Sequence, residues 1–413
     1  MKHALTILVL LPTAALAAEP PVAIRNAAIE TLAAAGRIER GTIVIRNGKI
    51  EAVGPNVAVP DDAVVIDAAG GTVLPGVIDP YFEVTVAAAT ADAGPRTVVV
   101  RGRPITLPGG APQARGAAFT RIADNFYPYD PGYKPLPRIG ITRLNLVTSG
   151  VGQAAVIRAT PAHPESMLDR PDGLAFASVT NSSESLDAIR QRLEAANRAK
   201  SGGGSRPGGP PAPGAQLWSD VLDGKVPLLV SAANPAAVLH LMKALEPYKN
   251  VQTLLFMGGD AVAETVDSLK GRNVRVILRP GIDLKPNTRD RYNAAALLHM
   301  AGVEVMFSLT ARPPGSTTAQ TVAALTGDSE VPLAIDADSP LFPVAMLVKT
   351  GLPRAVALES LAKRPAAALG LAASHGTIEP GKAADLILFS GDPLDPASRL
   401  RRTIIDGRTI HAN

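Results

Sequence analysis

No cysteine occurs among the 413 residues. Disulfides, thiolate metal sites and a cysteine nucleophile are therefore excluded, and an oxidising compartment is harmless to the chain. Histidine is scarce too: His3, His163, His240, His299, His375 and His411 make six, with no His-x-His or His-x-x-x-His among them. No strand or helix can therefore offer one cation two imidazoles from neighbouring same-face positions. A Gly-x-Ser-x-Gly elbow and a phosphate loop ending in Gly-Lys-Ser/Thr are also missing. Beyond the first residues no segment approaches ~20 uninterrupted apolar residues, which argues against a membrane span. Charge of one sign is not in excess, with 41 Lys+Arg against 37 Asp+Glu. The densest basic cluster, Arg399, Arg401, Arg402 and Arg408, has no interleaved aromatics. It reads as a solvated surface, and no nucleic-acid partner is expected.

What is present reads as globular: 46% hydrophobic and 19% charged residues, with 37 Gly and 37 Pro marking many turns. Met1-Lys2-His3, the apolar run Ala4 to Leu11 and the small residues through Ala18 have the three parts of a secretory signal peptide over residues 1–18. Cleavage is expected after Ala17 or Ala18, with export to a periplasm or the outside. Loss of Lys2 takes the formal charge from +4 to +3, that is 40 Lys+Arg minus 37 Asp+Glu.

Thr42 to Val53 is two β-rich runs about Asn47-Gly48, and Thr403 to Ile410 repeats the device about Asp406-Gly407. Asn-Gly and Asp-Gly are the strongest short hairpin signals. With the strand Ala384 to Phe389 they predict one small β-sheet domain built from both chain ends, residues 19–75 plus 376–413. Between the ends, strand-like runs at 141–147, 226–230, 251–256, 274–278 and 303–307 alternate with helical patterns, which argues for parallel β/α units over residues 76–375. Asn234-Pro235 reads as a helix cap and first-turn proline, so a strand should end near Ser231. The Gly/Pro/Ser-rich stretch 201–214 supports neither helix nor strand and reads as a flexible surface insertion.

The segment Pro75-Gly76-Val77-Ile78-Asp79-Pro80-Tyr81-Phe82-Glu83 resembles the first barrel strand of the amidohydrolase superfamily, Pro-Gly-x-Ile-Asp-x-His-x-His. The block Gly376-Thr377-Ile378-Glu379-Pro380-Gly381-Lys382-Ala383-Ala384-Asp385-Leu386-Ile387-Leu388 is similar to the one that closes the family's β-sandwich onto its barrel. Asn293 to Leu298 and Ala301-Gly302-Val303 resemble the imidazolonepropionase-like branch. The resemblance implies an α/β fold, a (β/α)8 TIM-like barrel with a small β-sandwich. It also implies one or two divalent metals held by histidines and an aspartate, with metal-bound water as the nucleophile.

At the positions the resemblance assigns to ligands, this chain has other residues. Tyr81 and Glu83 replace the two first-strand histidines, Ser231 the strand-five histidine and Gly258 the strand-six histidine. Thr310 stands at the strand-eight aspartate, unless Asp338, in Ile335-Asp336-Ala337-Asp338-Ser339-Pro340, is that acid. Asp79, Tyr81, Glu83, Ser231, Gly258, Thr310 and Asp338 are thus the pocket candidates. A strand tyrosine is most often only a packed aromatic. His163 is the one histidine expected near the barrel mouth.

A phenol and a single carboxylate suit zinc poorly. The expectation is an exported family member without metal-dependent hydrolysis and without a cofactor. It would act by binding, as partner of an active relative or through a small-molecule ligand, in homo- or hetero-oligomers. The alternative is an active hydrolase of non-peptide C–N bonds in small or cyclic amides, using Asp79, Tyr81, Glu83 and Asp338 as acid, base or weak metal site, with a divalent metal such as zinc.

Overall fold

Strands from the two ends of the chain are hydrogen-bonded into one sheet. In the computed structural model, which describes residues 19–84, 96–100, 103–107, 119–180, 183–201, 213–311 and 339–413, eight strands make this sheet. Its order is Arg408–Ala412, Leu400–Ile405, Leu386–Phe389, Thr72–Pro75, Val22–Glu30, Arg37–Arg46 and Lys49–Gly54, with Val64–Asp67 beside Val22–Glu30. The N- and C-terminal parts meet where Leu386–Phe389 runs antiparallel to Thr72–Pro75, Ile387 opposite Leu74. Both turns adopt the left-handed backbone their sequences favour, φ 50° and 76° at Asn47-Gly48 and 47° and 78° at Asp406-Gly407. Ile24, Ile43, Val73, Leu386 and Ile404 form the apolar layer beneath the sheet.

The remaining strands form a second, mainly parallel system. Val77–Glu83 pairs in parallel with Ile141–Val147, placing Asp79 opposite Leu144. Ile141–Val147 then pairs antiparallel with Ala155–Arg158, and Val151–Gln153, just before it in sequence, pairs antiparallel with Ala175–Val179. A single run, residues 151–158, therefore couples two sheets. From Ala175–Val179 onward the pairing is parallel through Leu228–Ala232, Thr253–Phe256, Val274–Leu278 and Glu304–Phe307. The first and last strands approach across Ser360-Leu361: Phe307 N donates to Ser360 O (3.0 Å) and Ile78 N to Leu361 O (3.0 Å). The antiparallel run at 151–158 departs from the uniformly parallel order that the β/α alternation suggested.

Strands such as Ile141–Val147 and Thr253–Phe256 are buried at every residue. That fits a sheet covered on both faces, as parallel sheets require. Pro235–Leu245, Val262–Leu269 and Ala294–Met300 follow successive strands. Asn234 caps the first of these helices, accepting from Ala237 N at 2.9 Å, with Pro235 in its first turn. The preceding strand ends at Ala232. Among the described residues no helix is long and apolar enough to cross a membrane. The proposed leader, Asp338 and all but the ends of the 201–214 insertion lie outside the described residues.

Candidate functional site

The strand Val77–Glu83 carries three of the candidates on one face. Asp79 is fully buried. Its carboxylate accepts from Tyr81 N (3.1 Å), Thr310 N (3.0 Å) and Thr310 Oγ1 (2.8 Å). Burial pushes its pKa up, and hydrogen bonds from Ser308, Tyr81 and Thr310 pull against that. Ser308 Oγ also lies 2.9 Å from Tyr81 O, so its single proton serves either that carbonyl or the Asp79 carboxylate. Asp79 and Thr310 thus tie the first strand to the end of Glu304–Phe307 and leave each other little freedom to engage anything else.

Tyr81 is only 3% exposed. Its ring stacks on Phe256 with centroids 4.0 Å apart and an interplanar angle of 27°. Burial raises the phenol pKa far above its ordinary range, the Glu83 charge adds to the rise, and a hydrogen bond with the Ser231 side chain opposes it. Tyr81, Glu83 and Ser231 are therefore brought together, with Phe256 across the ring. Gly258, two residues beyond Phe256, opens the turn into the next helix with φ −69°. Asp338 is not among the described residues.

A group that sequence reading missed lies beside Gly258. A β-carbon at Gly259 would fall 2.1 Å from Asp283 Oδ2, so this carboxylate lies against the glycine backbone. Burial and the neighbouring Asp260 push the Asp283 pKa up to about 6. The Tyr292 hydroxyl donates to Gly259 O and accepts from Ala263 N (3.1 Å). Burial is the main cause of its pKa rise to about 12. No local motif announces this group: Asp283 and Tyr292 face each other across the short antiparallel pair Asp283–Leu284 and Arg291–Tyr292, which sets them against Asp260 in the turn Gly259–Ala261. Further round, a cleft of about 630 Å³ is lined by Thr180, Leu186, Arg190, Asn234, His240 and Glu264, at the ends of the strands Ala175–Val179 and Leu228–Ala232.

The donors at the resemblance's ligand positions do not fit a zinc or binuclear centre. Among the described residues they are a buried phenol held by Ser231 and Phe256, one strand-end carboxylate, a hydroxyl engaged by Asp79 and a glycine without a side chain; Asp338, the alternative to Thr310, lies outside them. Elsewhere, His375, Asp385 and Asp406 place ligand-type atoms within 4.8 Å of one another. That position already holds a cation. The Arg143 guanidinium, 1% exposed, donates from Nε to His375 Nε2 (2.8 Å) and from Nη2 to Asp406 Oδ1 (3.0 Å), and its Nε lies 3.2 Å from Asp385 Oδ2. Arg158 and Asp169 extend the cluster. Burial, then Arg143, lowers the His375 pKa to about 4, and burial raises that of Asp385 to about 6. This is a buried ion-pair network joining the chain-end sheet to the strand Ile141–Val147.

His163 is a correction. It lines a cleft beside Asp406, Arg158 and the two chain-end hairpins rather than the ends of the parallel strands. The reason is topological: it follows Ala155–Arg158, which runs opposite to its neighbour Ile141–Val147 and so delivers its C-terminal loop to the other end of the sheet.

Comparison with known proteins bears on this arrangement. The model of the Amidohydrolase family matches residues 146–410, well over half of the 413. An amidohydrolase from Thermotoga maritima superposes with a TM-score of 0.69 at 20% identity, covering 95% of this chain and 100% of that one. Molinate hydrolase gives 0.52 at 15% identity, covering 95% of each chain. A prolidase complexed with N-methylphosphonate-L-proline gives 0.50 at 14%, covering 95% and 100%. At these identities the likeness is one of fold. A search of curated proteins gave no match. The family model and the mixed α/β fold shared along 95% of the chain agree: the chain belongs to the amidohydrolase family.

Proposed function

We propose that this protein has lost the family's metal-dependent hydrolysis and acts by binding, either as partner of an active relative or through a small-molecule ligand at the ends of its parallel strands. The observation that carries this is the Tyr81 ring, buried against Phe256 and hydrogen-bonded to Ser231, at a position the resemblance gives to a metal-ligating imidazole. A buried phenol whose pKa is raised is a poor zinc ligand. The reading includes export after removal of residues 1–18, a β-sandwich of residues 19–75 and 376–413, and a barrel of residues 76–375 whose ring is completed through residues 151–158 and Ser360-Leu361. No partner is identified by it, and homo- and hetero-oligomers both fit.

One observation favours the alternative, hydrolysis of a C–N bond in a small or cyclic amide. Asp283, with a pKa near 6, would be suited to proton transfer beside Gly258. The test is a hydrolysis screen over small and cyclic amides, run with added zinc and with chelator. The proposal expects no turnover that chelator abolishes. Chelator-sensitive turnover lost in Glu83→Gln would replace it with the hydrolase reading.

A further inference from the structure

Between the strand Val274–Leu278 and the helix Ala294–Met300 the chain rises into a small hairpin. Its sides are two residues each, Asp283 opposite Tyr292 and Leu284 opposite Arg291, and Lys285 N donates to Asp290 O (2.9 Å) near the tip. A ladder this short has little stability of its own. Its inward side is held by Ile282 and Tyr292, which pack on the core. Its polar grip on the neighbouring strand end is one side chain. The Tyr292 hydroxyl donates to Gly259 O and accepts from Ala263 N (3.1 Å), and so grasps both the turn Gly259–Ala261, which follows the strand Thr253–Phe256, and the first turn of the helix Val262–Leu269. A carboxylate stands against that grip. Asp283 Oδ2 lies so close to the turn that a β-carbon at Gly259 would come within 2.1 Å of it, and Asp260 is the next residue of the same turn. Burial and the Asp260 charge push the Asp283 pKa up to about 6. The charges acting on Tyr292 are acidic as well, those of Asp283, Asp260 and Glu264. Lys285, Arg289, Asp290 and Arg291 are exposed at the tip and do not shift Asp283.

We propose that residues 281–292 are a lid over the ends of the parallel strands, latched by the Tyr292 hydroxyl and released when Asp283 loses its proton beside Asp260. This goes beyond the binding reading and holds whichever chemistry the strand ends carry. The two ends of the lid differ. A β-carbon at Gly281 would meet nothing, so the chain is free to turn there. Asn293 is pinned, its side chain accepting from Ala296 N (2.9 Å) and donating to Leu347 O (2.8 Å). The lid therefore swings on Gly281 against a fixed far end. With Asp283 neutral, its carboxyl rests on the Gly259 backbone and the Tyr292 hydroxyl keeps both of its bonds. Ionisation sets two like charges against each other across that contact. The latch opens, and the backbone of Gly258 and Gly259, which follows directly on the strand that carries Phe256, is uncovered. The sign is fixed by the direction of the shift. A proton held more tightly in the latched state favours that state below about pH 6, and the advantage is lost as pH rises through that value.

Because the chain has no cysteine, Leu284→Cys gives a unique site for a spin label, and Leu284 is 52% exposed, on the outer side of the hairpin. The mobility of the label is read by electron paramagnetic resonance on the intact protein between about pH 5 and 8, a range that brackets the Asp283 titration. The ratio of immobile to mobile label should fall by at least about tenfold across that range. With Asp283→Asn added, the label should stay immobile throughout. With Tyr292→Phe added, which removes the hydroxyl and keeps the ring, it should be mobile even at the acid end. The same label at Met300→Cys, exposed on the helix that follows, should not respond, which separates lid opening from unfolding. Mobility that ignores pH in the parent, or a pH response that survives Asp283→Asn, overturns the switch. An immobile label in Tyr292→Phe over the whole range overturns the latch, and a parallel response at position 300 overturns the lid itself.

Discussion

Tyr81 decides whether the ends of the parallel strands form an open reaction centre or a packed one. Its ring faces Phe256 at 4.0 Å and its hydroxyl meets Ser231, so both the apolar and the polar part of the side chain are engaged by protein. Tyr81→Ala should lower stability by about 3–5 kcal/mol, as for other buried aromatics cut to alanine. Tyr81→Phe, which keeps the ring and loses one hydrogen bond, should lower it by about 1 kcal/mol. Denaturant midpoints at constant slope would measure both; equal, negligible effects would mean that the ring is not packed. Asp283 gives a pH signature of its own. Its folded pKa of about 6 lies above the ordinary 3.8, so its stabilising contribution is complete below pH 3.8 and is lost as pH rises through about 6. Asp283→Asn should therefore flatten that part of the melting-temperature profile and raise stability at pH 7. An unchanged profile would show that Asp283 is solvated.

At the scale of elements, much of the framework was legible. Asn47-Gly48 and Asp406-Gly407 marked their hairpins because only certain residues tolerate both left-handed turn positions. The runs 141–147 and 274–278 were read with the bounds they have. Asn234-Pro235 fixed a helix start because cap and proline act locally. The run 151–158 was not legible. Val151-Gly152-Gln153-Ala154-Ala155 has neither alternation nor a turn signal, and its strands exist through pairing with Ile141–Val147 and Ala175–Val179. The Tyr81–Phe256 stack was hidden for the same reason, since its members meet only after the sheet is assembled, whereas Asp283 and Tyr292 pair across a hairpin of two residues a side, too short to show in the sequence. Gly76 tests how tightly the first strand enters it. A β-carbon there would lie 2.2 Å from Thr142 Cγ2. Gly76→Ala should cost about 1–3 kcal/mol by overpacking, and Thr142→Ala in the same chain should recover part of that. Simple additivity of the two would contradict the predicted contact.

At the scale of the whole molecule, the chain-end sheet is joined to the parallel strands by a buried charge cluster. Its members come from residues 143, 158, 169, 375, 385 and 406. Arg143→Met would leave Asp385 without its buried counter-charge, while Asp406 keeps Arg158, and should cost about 3–5 kcal/mol. His375 sets the acid limit of the joint. Its folded pKa of about 4 lies below the ordinary 6.5, so the stability it contributes is present above pH 6.5 and lost as pH falls toward 4. His375→Gln should therefore gain stability relative to the parent as pH falls across that window, measured by denaturation at fixed ionic strength.

The residues that the resemblance assigns to the family's metal-ligand positions, Tyr81, Glu83, Ser231, Gly258 and either Thr310 or Asp338, carry the proposal. The most direct test of this account is the zinc content of the purified mature protein after exhaustive dialysis, measured by plasma mass spectrometry. The account predicts far less than one zinc per chain, with no increase on Glu83→Gln. One tightly held zinc per chain, lost in Glu83→Gln, would contradict it.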